Sequence, residues 1–340
     1  MLVSYLRSSS IGTWELCRHA HMIEYVMGLK ADPNIKTERG SVVHKALELL
    51  ARRKFSEQQG LTSFRDEETE RDYPIEQITT DFAVDEAFEH YAYRKNSPNK
   101  WTEEDRDICR KLTHHTVDFR GGMFDPRKRH VIQPEQYFDL TIDEPWAKYK
   151  YKDPHTGEEV KGTLAIKGTI DLVTEVAPGI MEYCDWKTGR RWNWACDKEK
   201  VYEHMCHDPQ LLLYYYALTR LYPEYKTIFV TIFFIADGGP YTVAFDRSHV
   251  AEALWMLRRK FEDMKNTQKP KLIIYDKAKA WKCRSFCYHG RNNWPGTDKT
   301  ICKFVEQEVV QLGVERTIAK HGKPGAAFKY GSGGGKENRE

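Results

Sequence analysis

At 340 residues the chain is long enough for about two domains, or one large elaborated one at roughly 150 residues each, and a content of 40% hydrophobic and 30% charged residues excludes a wholly disordered protein. No run approaches the ~20 apolar residues of a membrane span, and Met1 to Arg7 lead into Ser8-Ser9-Ser10 rather than a long apolar stretch with a small-residue cleavage site, so neither a membrane protein nor a secretory leader is expected. The 53 basic and 50 acidic residues leave a net charge of +3, and a pI of 8.3 falls short of a dedicated nucleic-acid coat, so net charge identifies no partner.

In chain order, Ser10 to Met27 reads as one helix, with Trp14, Cys17, His21 and Tyr25 along a stripe and Gly28 just past its end. A second helix follows Thr37, which is expected to cap it. Its apolar face carries Val43, Ala46, Leu47 and Leu50, with His44 at the edge. Residues 77–121 are again helical, broken by turn residues near Asn96-Ser97-Pro98-Asn99, and form a helical insert. After Pro126 the text turns to β-branched and aromatic residues. His130 to Ile142, Thr163 to Val176 and Ile180 to Trp186 read as three strands separated by turns at Asp153-Pro154 and Pro178-Gly179. Asp208 then caps a helix with Pro209 at its first position, running through Leu221. Ile228 to Ile235 is a buried strand, Ser248 to Met264 a helix, and a cysteine-bearing segment precedes a glycine-rich tail after Tyr330 that is flexible by composition.

If the second and third strands pair through Pro178-Gly179, Asp171 and Asp185 reach equivalent depths at one end of the sheet. Period-two alternation puts Asp185 and Lys187 on one face and Trp186 on the other. Two carboxylates beside an ammonium suit phosphodiester hydrolysis. Hard oxygen ligands hold Mg²⁺ or Mn²⁺, the metal acidifies water, and the ammonium stabilises developing charge. The acid-x-Lys pattern alone carries little, because it recurs at Glu159-Val160-Lys161, Glu224-Tyr225-Lys226 and Asp263-Met264-Lys265. The Asp185 instance is set apart by the Gly168-x-x-Asp171 element before it and by Gln210 and Tyr214 after it. These two share a helical face at i and i+4, where they could orient Lys187 or contact a phosphate; in isolation they read as an ordinary amphipathic helix.

Eight cysteines are too few for a disulfide scaffold in a chain of this length, and a reducing intracellular compartment is expected. Cys17, Cys283-x-x-x-Cys287 and Cys302 form a one-plus-three set. Four thiolates suit either a 4Fe–4S cluster or tetrahedral zinc, which ligand type does not separate. Cys109, Cys184, Cys196 and Cys206 lack partners at ligand spacing. Among the basic stretches, Arg190 and Arg191 directly follow the strand of Asp185 and are the candidates for phosphate contact, with Trp192 and Trp194 beside them able to stack on bases.

Taken together, these residues resemble the PD-(D/E)xK nuclease superfamily, in particular its RecB and AddB-like exonuclease branch with CRISPR-associated and phage relatives, over about Ser8 to Phe304. The resemblance implies an α/β, restriction-endonuclease-like core: a central mixed sheet flanked by helices, a helical insert, and a cysteine-cluster clamp joining the N- and C-terminal segments. Gly40-Ser41-Val42-Val43-His44 matches a Gly-x-x-x-His helix of that branch, which implies that His44 is a metal ligand alongside Asp171, Asp185 and the Trp186 backbone carbonyl. Glu135 is the candidate for a glutamate on the first strand, and Lys187 would position the attacking water. Cys17, Cys283, Cys287 and Cys302 would hold a 4Fe–4S cluster or, alternatively, structural zinc. Their spacing departs from C-x-x-C-x-x-x-x-x-C, and Arg18 stands where a proline commonly follows the first cysteine.

The expected division is 1–60 for N-terminal helices, 61–129 for the insert, 130–245 for the nuclease core, 246–321 for the C-terminal helix and cysteine segment, and 322–340 for the tail. The expected function is that of a Mg²⁺- or Mn²⁺-dependent DNA exonuclease acting on ends or single strands in repair or recombination. Any helicase or recombination partner would be a separate chain, since no ATPase motor is encoded. The alternative is a non-catalytic DNA-binding subunit that keeps the fold and cluster.

Overall fold

Large apolar side chains alternate through Met181, Tyr183 and on the opposite face Cys184 and Trp186, so this segment can only be a strand covered on both sides. In the computed structural model, which describes residues 1–95 and 97–328, it lies inside a six-stranded mixed sheet. The glycine-rich tail therefore falls outside the described residues. The strands are β1 (Tyr5–Leu6), β2 (Ser63–Asp66), β3 (Arg71–Pro74), β4 (His130–Thr141), β5 (Lys148–Lys152), β6 (Glu159–Thr163), β7 (Ala165–Ala177), β8 (Ile180–Lys187), β9 (Trp192–Asn193), β10 (Lys198–Glu199), β11 (Thr227–Phe234) and β12 (Gly239–Asp246). The helices are α1 (Ser8–Leu16), α2 (Arg18–His21), α3 (Ile35–Gln58), α4 (Thr80–Glu89), α5 (Glu103–Asp118), α6 (Tyr202–Met205), α7 (Pro209–Leu221), α8 (Val250–Asn266), α9 (Ala280–Ser285), α10 (Tyr288–Arg291), α11 (Ile301–Leu312) and α12 (Val314–His321).

The sheet is built around β7. Along one edge it pairs antiparallel with β4 from Ala165 to Glu175. Its other edge is shared: β8 pairs antiparallel up to Leu172↔Cys184, while β1 pairs parallel at Ala165 and Ile166. Between those two partners, residues 167–171 face no strand on that edge among the described residues. β8 continues alone to Lys187, held by parallel pairing with β11, to which β12 is added antiparallel.

One face of the sheet packs on α3, α4 and α5 through Val43, Leu47, Leu50, Val84 and Phe88 against Leu172, Cys184, Trp186 and Phe233. The other packs on α1, α7 and α8 through Trp14, Leu212, Tyr215, Leu257 and Phe261 against Ile166, Tyr183, Val230 and Phe245. A third cluster joins Met22, Ile23, Val26 and Met27 near the N-terminus to Cys302, Val305, Val309 and Ile318 near the C-terminus. None of the described helices is long and apolar enough to cross a membrane.

The mixed α/β architecture agrees with the expectation from sequence, with local corrections. The predicted helix from Ser10 to Met27 breaks at Cys17, whose backbone is extended (φ −157°, ψ 109°), and resumes as α2 with a wide turn over Met22–Val26. α3 is capped by Asn34, whose side-chain oxygen accepts from the Thr37 N–H, so Thr37 is the recipient of the cap rather than its source. The expected helical insert also contains the antiparallel β2–β3 ribbon. Asp208 caps α7 as expected, accepting from the Gln210 N–H.

The ribbon is anchored to α3 by buried charge. Lys45 Nζ lies 2.6 Å from Asp66 Oδ2 and 2.9 Å from Glu48 Oε2, and Arg52 donates to the other Glu48 oxygen. Burial alone would raise the Asp66 carboxyl, but Lys45 and the Thr69 donors outweigh it and hold it below its ordinary value. A depressed folded pKa contributes stability that is present above the unfolded value and lost as pH falls through the folded one. Lys45→Met leaves the buried Asp66 without its closest cation and Glu48 with Arg52 alone, and should destabilise the protein by about 3–5 kcal/mol at neutral pH. Urea unfolding should show that deficit shrinking as pH falls below about 4 and Asp66 becomes neutral in the variant.

Candidate active site

The site forms where β7 and β8 part. Continuing the register beyond Leu172↔Cys184 sets Asp171 opposite Asp185, but the strands have separated and the Asp171 carboxylate fills the opening, accepting the Trp186 N–H at 2.8 Å. β8 does not fray there because β11 holds it, with the Lys187 carbonyl accepting the Ile235 N–H at 2.9 Å. Lys187 returns along its face to place Nζ 2.6 Å from Asp185 Oδ2, and Gln210 Nε2 on the first turn of α7 donates to Asp185 Oδ1 at 2.8 Å. Tyr214, one turn further, packs edge-on against Tyr183 and Phe138. Gly168 makes room for this packing, since a Cβ there would stand 2.8 Å from the Phe138 ring and 3.2 Å from Tyr214.

α3 supplies the opposite wall. Gly40 approaches β8 so closely that a Cβ would stand 2.9 Å from Thr188 Oγ1, and one turn on, His44 Nδ1 lies 3.4 Å from Asp171 Oδ2. The same helical face continues with Glu48, so Gly40, His44, Glu48, Glu135, Asp171, and Lys187 share one open cleft of about 440 Å³. Glu135 sits on β4 opposite Asp171, with its backbone in the left-handed region (φ 48°). Such a conformation costs of order 1–3 kcal/mol in a residue other than glycine and is commonly held at functional sites.

The charges are coupled. Burial alone would raise the Asp171 carboxyl, yet His44, Lys187 and the Trp186 N–H bring it below its ordinary value. Burial and the neighbouring Asp171 charge leave Asp185 raised despite Lys187. Burial disfavours the cationic forms of His44 and Lys187, but the facing carboxylates overcome this and raise both. Burial first, then the charges of Asp171 and Glu48, pushes Glu135 up to about 9.

Asp185 Oδ2 is buried against the Lys187 ammonium, 2.6 Å away. Two buried carboxylates beside an imidazole are a donor set that suits a hard divalent cation. The side chains are contracted onto one another, and among the described residues no three His, Cys, Asp or Glu groups stand as a ready metal cage.

Cys17, Cys283, Cys287 and Cys302 fall in one region, although among the described residues they do not stand as a ready metal cage. Cys17 lies buried at the break before α2, Cys283 on α9, Cys287 at the head of α10 and Cys302 on α11. The neighbouring Cys302 thiol pushes the Cys287 thiol down to about 6, and Cys287 together with burial raises Cys302. Burial raises Cys17, and burial together with the charges of Cys287 and Cys17 pushes Cys283 up to about 11. A Cβ at Gly290 would overlap the Cys283 carbonyl, so glycine is what lets α10 fold back on α9. Cys109, Cys184, Cys196 and Cys206 lie apart from this group, in the core or beside loop carbonyls.

Other sequence candidates have different surroundings. Arg190 is exposed. Arg191 is engaged with Glu199 and the Lys200 carbonyl and lies over the Tyr241 ring. The acid-x-Lys repeats lie elsewhere: Asp263 accepts from Trp14 Nε1 and Arg18, and Glu159 pairs with Lys150 and Lys161. Sequence reasoning missed Glu48 and Thr188. The first stands four residues after His44 on the same helical face, a legible spacing; the second is defined only by its contact with Gly40.

A carboxylate pair and lysine at the splayed end of a mixed sheet define the class of phosphodiesterases with this core. The chain belongs to the PD-(D/E)XK nuclease superfamily, whose family model matches residues 8–289. No curated protein matches the chain. Among solved structures, a crystal structure from Eubacterium rectale named "Putative exonuclease" is similar, with a TM-score of 0.42 and 11% identity, covering 82% of this chain and 88% of that one.

The Gly40–Thr188 contact yields a test. Gly40→Ala gains up to about 1 kcal/mol of helix propensity but crowds the Thr188 hydroxyl. In the parent it should be neutral or destabilising, and in a Thr188→Ala background stabilising. A double-mutant cycle from thermal unfolding measures the difference.

Proposed function

We propose that the chain is a metal-dependent DNA exonuclease of the RecB and AddB-like branch, acting on ends or single strands. The observation that supports this most is the convergence of His44, Asp171 and Lys187 in one cleft, with Asp185 beside them 2.6 Å from the Lys187 ammonium. His44, Asp171, Asp185, the Trp186 carbonyl and Glu135 are the groups that would hold Mg²⁺ or Mn²⁺. When bound, such a cation neutralises phosphate charge and acidifies water.

The chain's own residues divide the remaining work. Lys187 stays cationic because two carboxylates face it, so its ammonium can orient the attacking water and stabilise charge that develops on the phosphate. Gln210 fixes the Asp185 carboxylate through Oδ1 while the Lys187 ammonium holds Oδ2. Burial and the neighbouring carboxylates raise the Glu135 carboxyl, so positive charge entering the cleft would favour its ionised form. We further propose that Cys17, Cys283, Cys287 and Cys302 bind a 4Fe–4S cluster, or zinc in the same place, which clamps the terminal segments together; four thiols within one another's electrostatic reach support it.

Lys187→Ala should lower the cleavage rate by about 10²–10³ while leaving DNA binding and melting temperature nearly unchanged. Asp171→Asn and Asp185→Asn should each lose the calorimetric heat of Mn²⁺ binding, whereas Asp263→Asn should retain it. End-labelled linear DNA should be degraded with Mn²⁺ and circular DNA spared; cut circles would rule out a strict exonuclease. Protein purified without oxygen should contain about four irons, and Cys17→Ser and Cys302→Ser should both lose them and become aggregation-prone. Zinc at one per chain would replace the cluster and keep the clamp, whereas metal-free protein with a fully stable Cys17→Ser variant would remove it.

A further inference from the structure

Immediately beyond the catalytic strand, the β9–β10 ribbon exposes Trp192 and Trp194. The cysteine-bearing segment exposes Trp281 and Phe286 beside them. The four rings form one patch: centroids are 6.2 Å apart for Trp192–Trp194, 6.5 Å for Trp194–Trp281, 5.5 Å for Trp194–Phe286 and 5.7 Å for Trp281–Phe286. Each is between 37% and 43% exposed. Scattered surface aromatics need no explanation, but a contiguous aromatic patch marks a binding surface.

The patch is held in place from beneath. Lys282 is buried, with its ammonium on the Trp194 carbonyl and 2.8 Å from Asp197 Oδ1, and Lys279 Nζ donates to the Ala195 carbonyl at 2.9 Å. These amines fix the ribbon backbone on the cysteine segment while the rings stay outward.

Charge and continuity identify the occupant. Of the cations flanking Trp281, Lys277 and Arg284 are exposed, and Arg190 is exposed at the start of the ribbon. A cavity of about 360 Å³ runs from Trp192 and Trp194 past α1 to Gln210, whose amide holds the Asp185 carboxylate. We propose that the aromatic patch is a stacking platform for the bases of single-stranded DNA and that the cavity leads the strand toward the cleft. The direction of travel rests on the nuclease reading above; the binding itself does not. Unpaired bases expose faces that aromatic rings can cover, and the flanking cations meet the phosphates. A duplex hides those faces in its own stack.

The test uses the full chain, fluorescein-labelled oligothymidylate and blunt duplex of equal length, without added divalent metal. Trp194→Ala and Trp281→Ala should each weaken single-strand binding by roughly 5- to 100-fold, Trp194→Phe should retain most of it, and duplex affinity should change little. Unchanged single-strand affinity in both alanine variants would overturn the platform. So would self-association that Trp194→Ala abolishes, which would assign the patch to a protein contact. Should the alanine variants aggregate, tryptophan fluorescence of the parent decides: quenching by oligothymidylate supports the platform and its absence overturns it. Cleavage with Mn²⁺ is read in parallel. No cleavage with tryptophan-dependent binding removes the nuclease reading and keeps the platform, whereas cleavage with tryptophan-independent binding does the reverse.

Discussion

The arrangement depends on one event in the sheet, the parting of β7 from β8 after Leu172↔Cys184. A central strand that loses its neighbour exposes backbone donors and acceptors, and buried ones must find other partners. Here the Asp171 carboxylate takes the Trp186 N–H, and β11 secures the far edge of β8. The side chain that repairs the ladder thus becomes fixed inside the gap. Its position beside Asp185 follows from backbone hydrogen bonding rather than from side-chain packing, which gives the pair rigid support.

The second constraint is electrostatic. Asp171, Asp185 and Glu135 crowd together against His44 and Lys187, and the resulting shifts oppose one another: Asp171 is held low while Asp185 and Glu135 are held high. Neighbouring carboxylates driven apart in this way mark a site short of positive charge. The strained backbone at Glu135 belongs to the same imbalance. A fold optimised only for stability would have replaced one of these carboxylates.

Much of this was legible in the sequence because its signals are local. Period-two alternation placed Asp185, Trp186 and Lys187 on alternate faces, the Pro178-Gly179 turn set β7 against β8, and Asp208-Pro209 fixed where α7 begins, hence the reach of Gln210. What was not legible depends on contacts distant in sequence. The break at Cys17 interrupts a segment with helical periodicity, and its buried thiol lies against the Ile273 backbone, more than two hundred positions away. The Asn34 cap competed with Thr37, and both are good capping residues; only the geometry of the turn decides. β2 and β3 are four residues each, too short to outweigh the helical text around them, and are secured by the Lys45–Asp66 pair, which no local pattern announces.

The terminal segments bear on the site through a chain of contacts that sequence distance conceals. His19 meets the Cys302 carbonyl and His289 meets Glu24, so the N-terminal helices are tied to the cysteine segment. Lys282 and Lys279 tie that segment to the β9–β10 ribbon. The ribbon is the direct continuation of β8, with four residues between Lys187 and its first strand. A loop following a catalytic strand would ordinarily be among the least stable parts of a fold, since loops have few buried contacts of their own. Here it is backed by a buried lysine and by the segment carrying three of the four gathered thiols. Loss of order among those thiols would therefore be transmitted first to the ribbon and the cavity beside Gln210, and only then to the sheet, because β8 itself is independently held by β11.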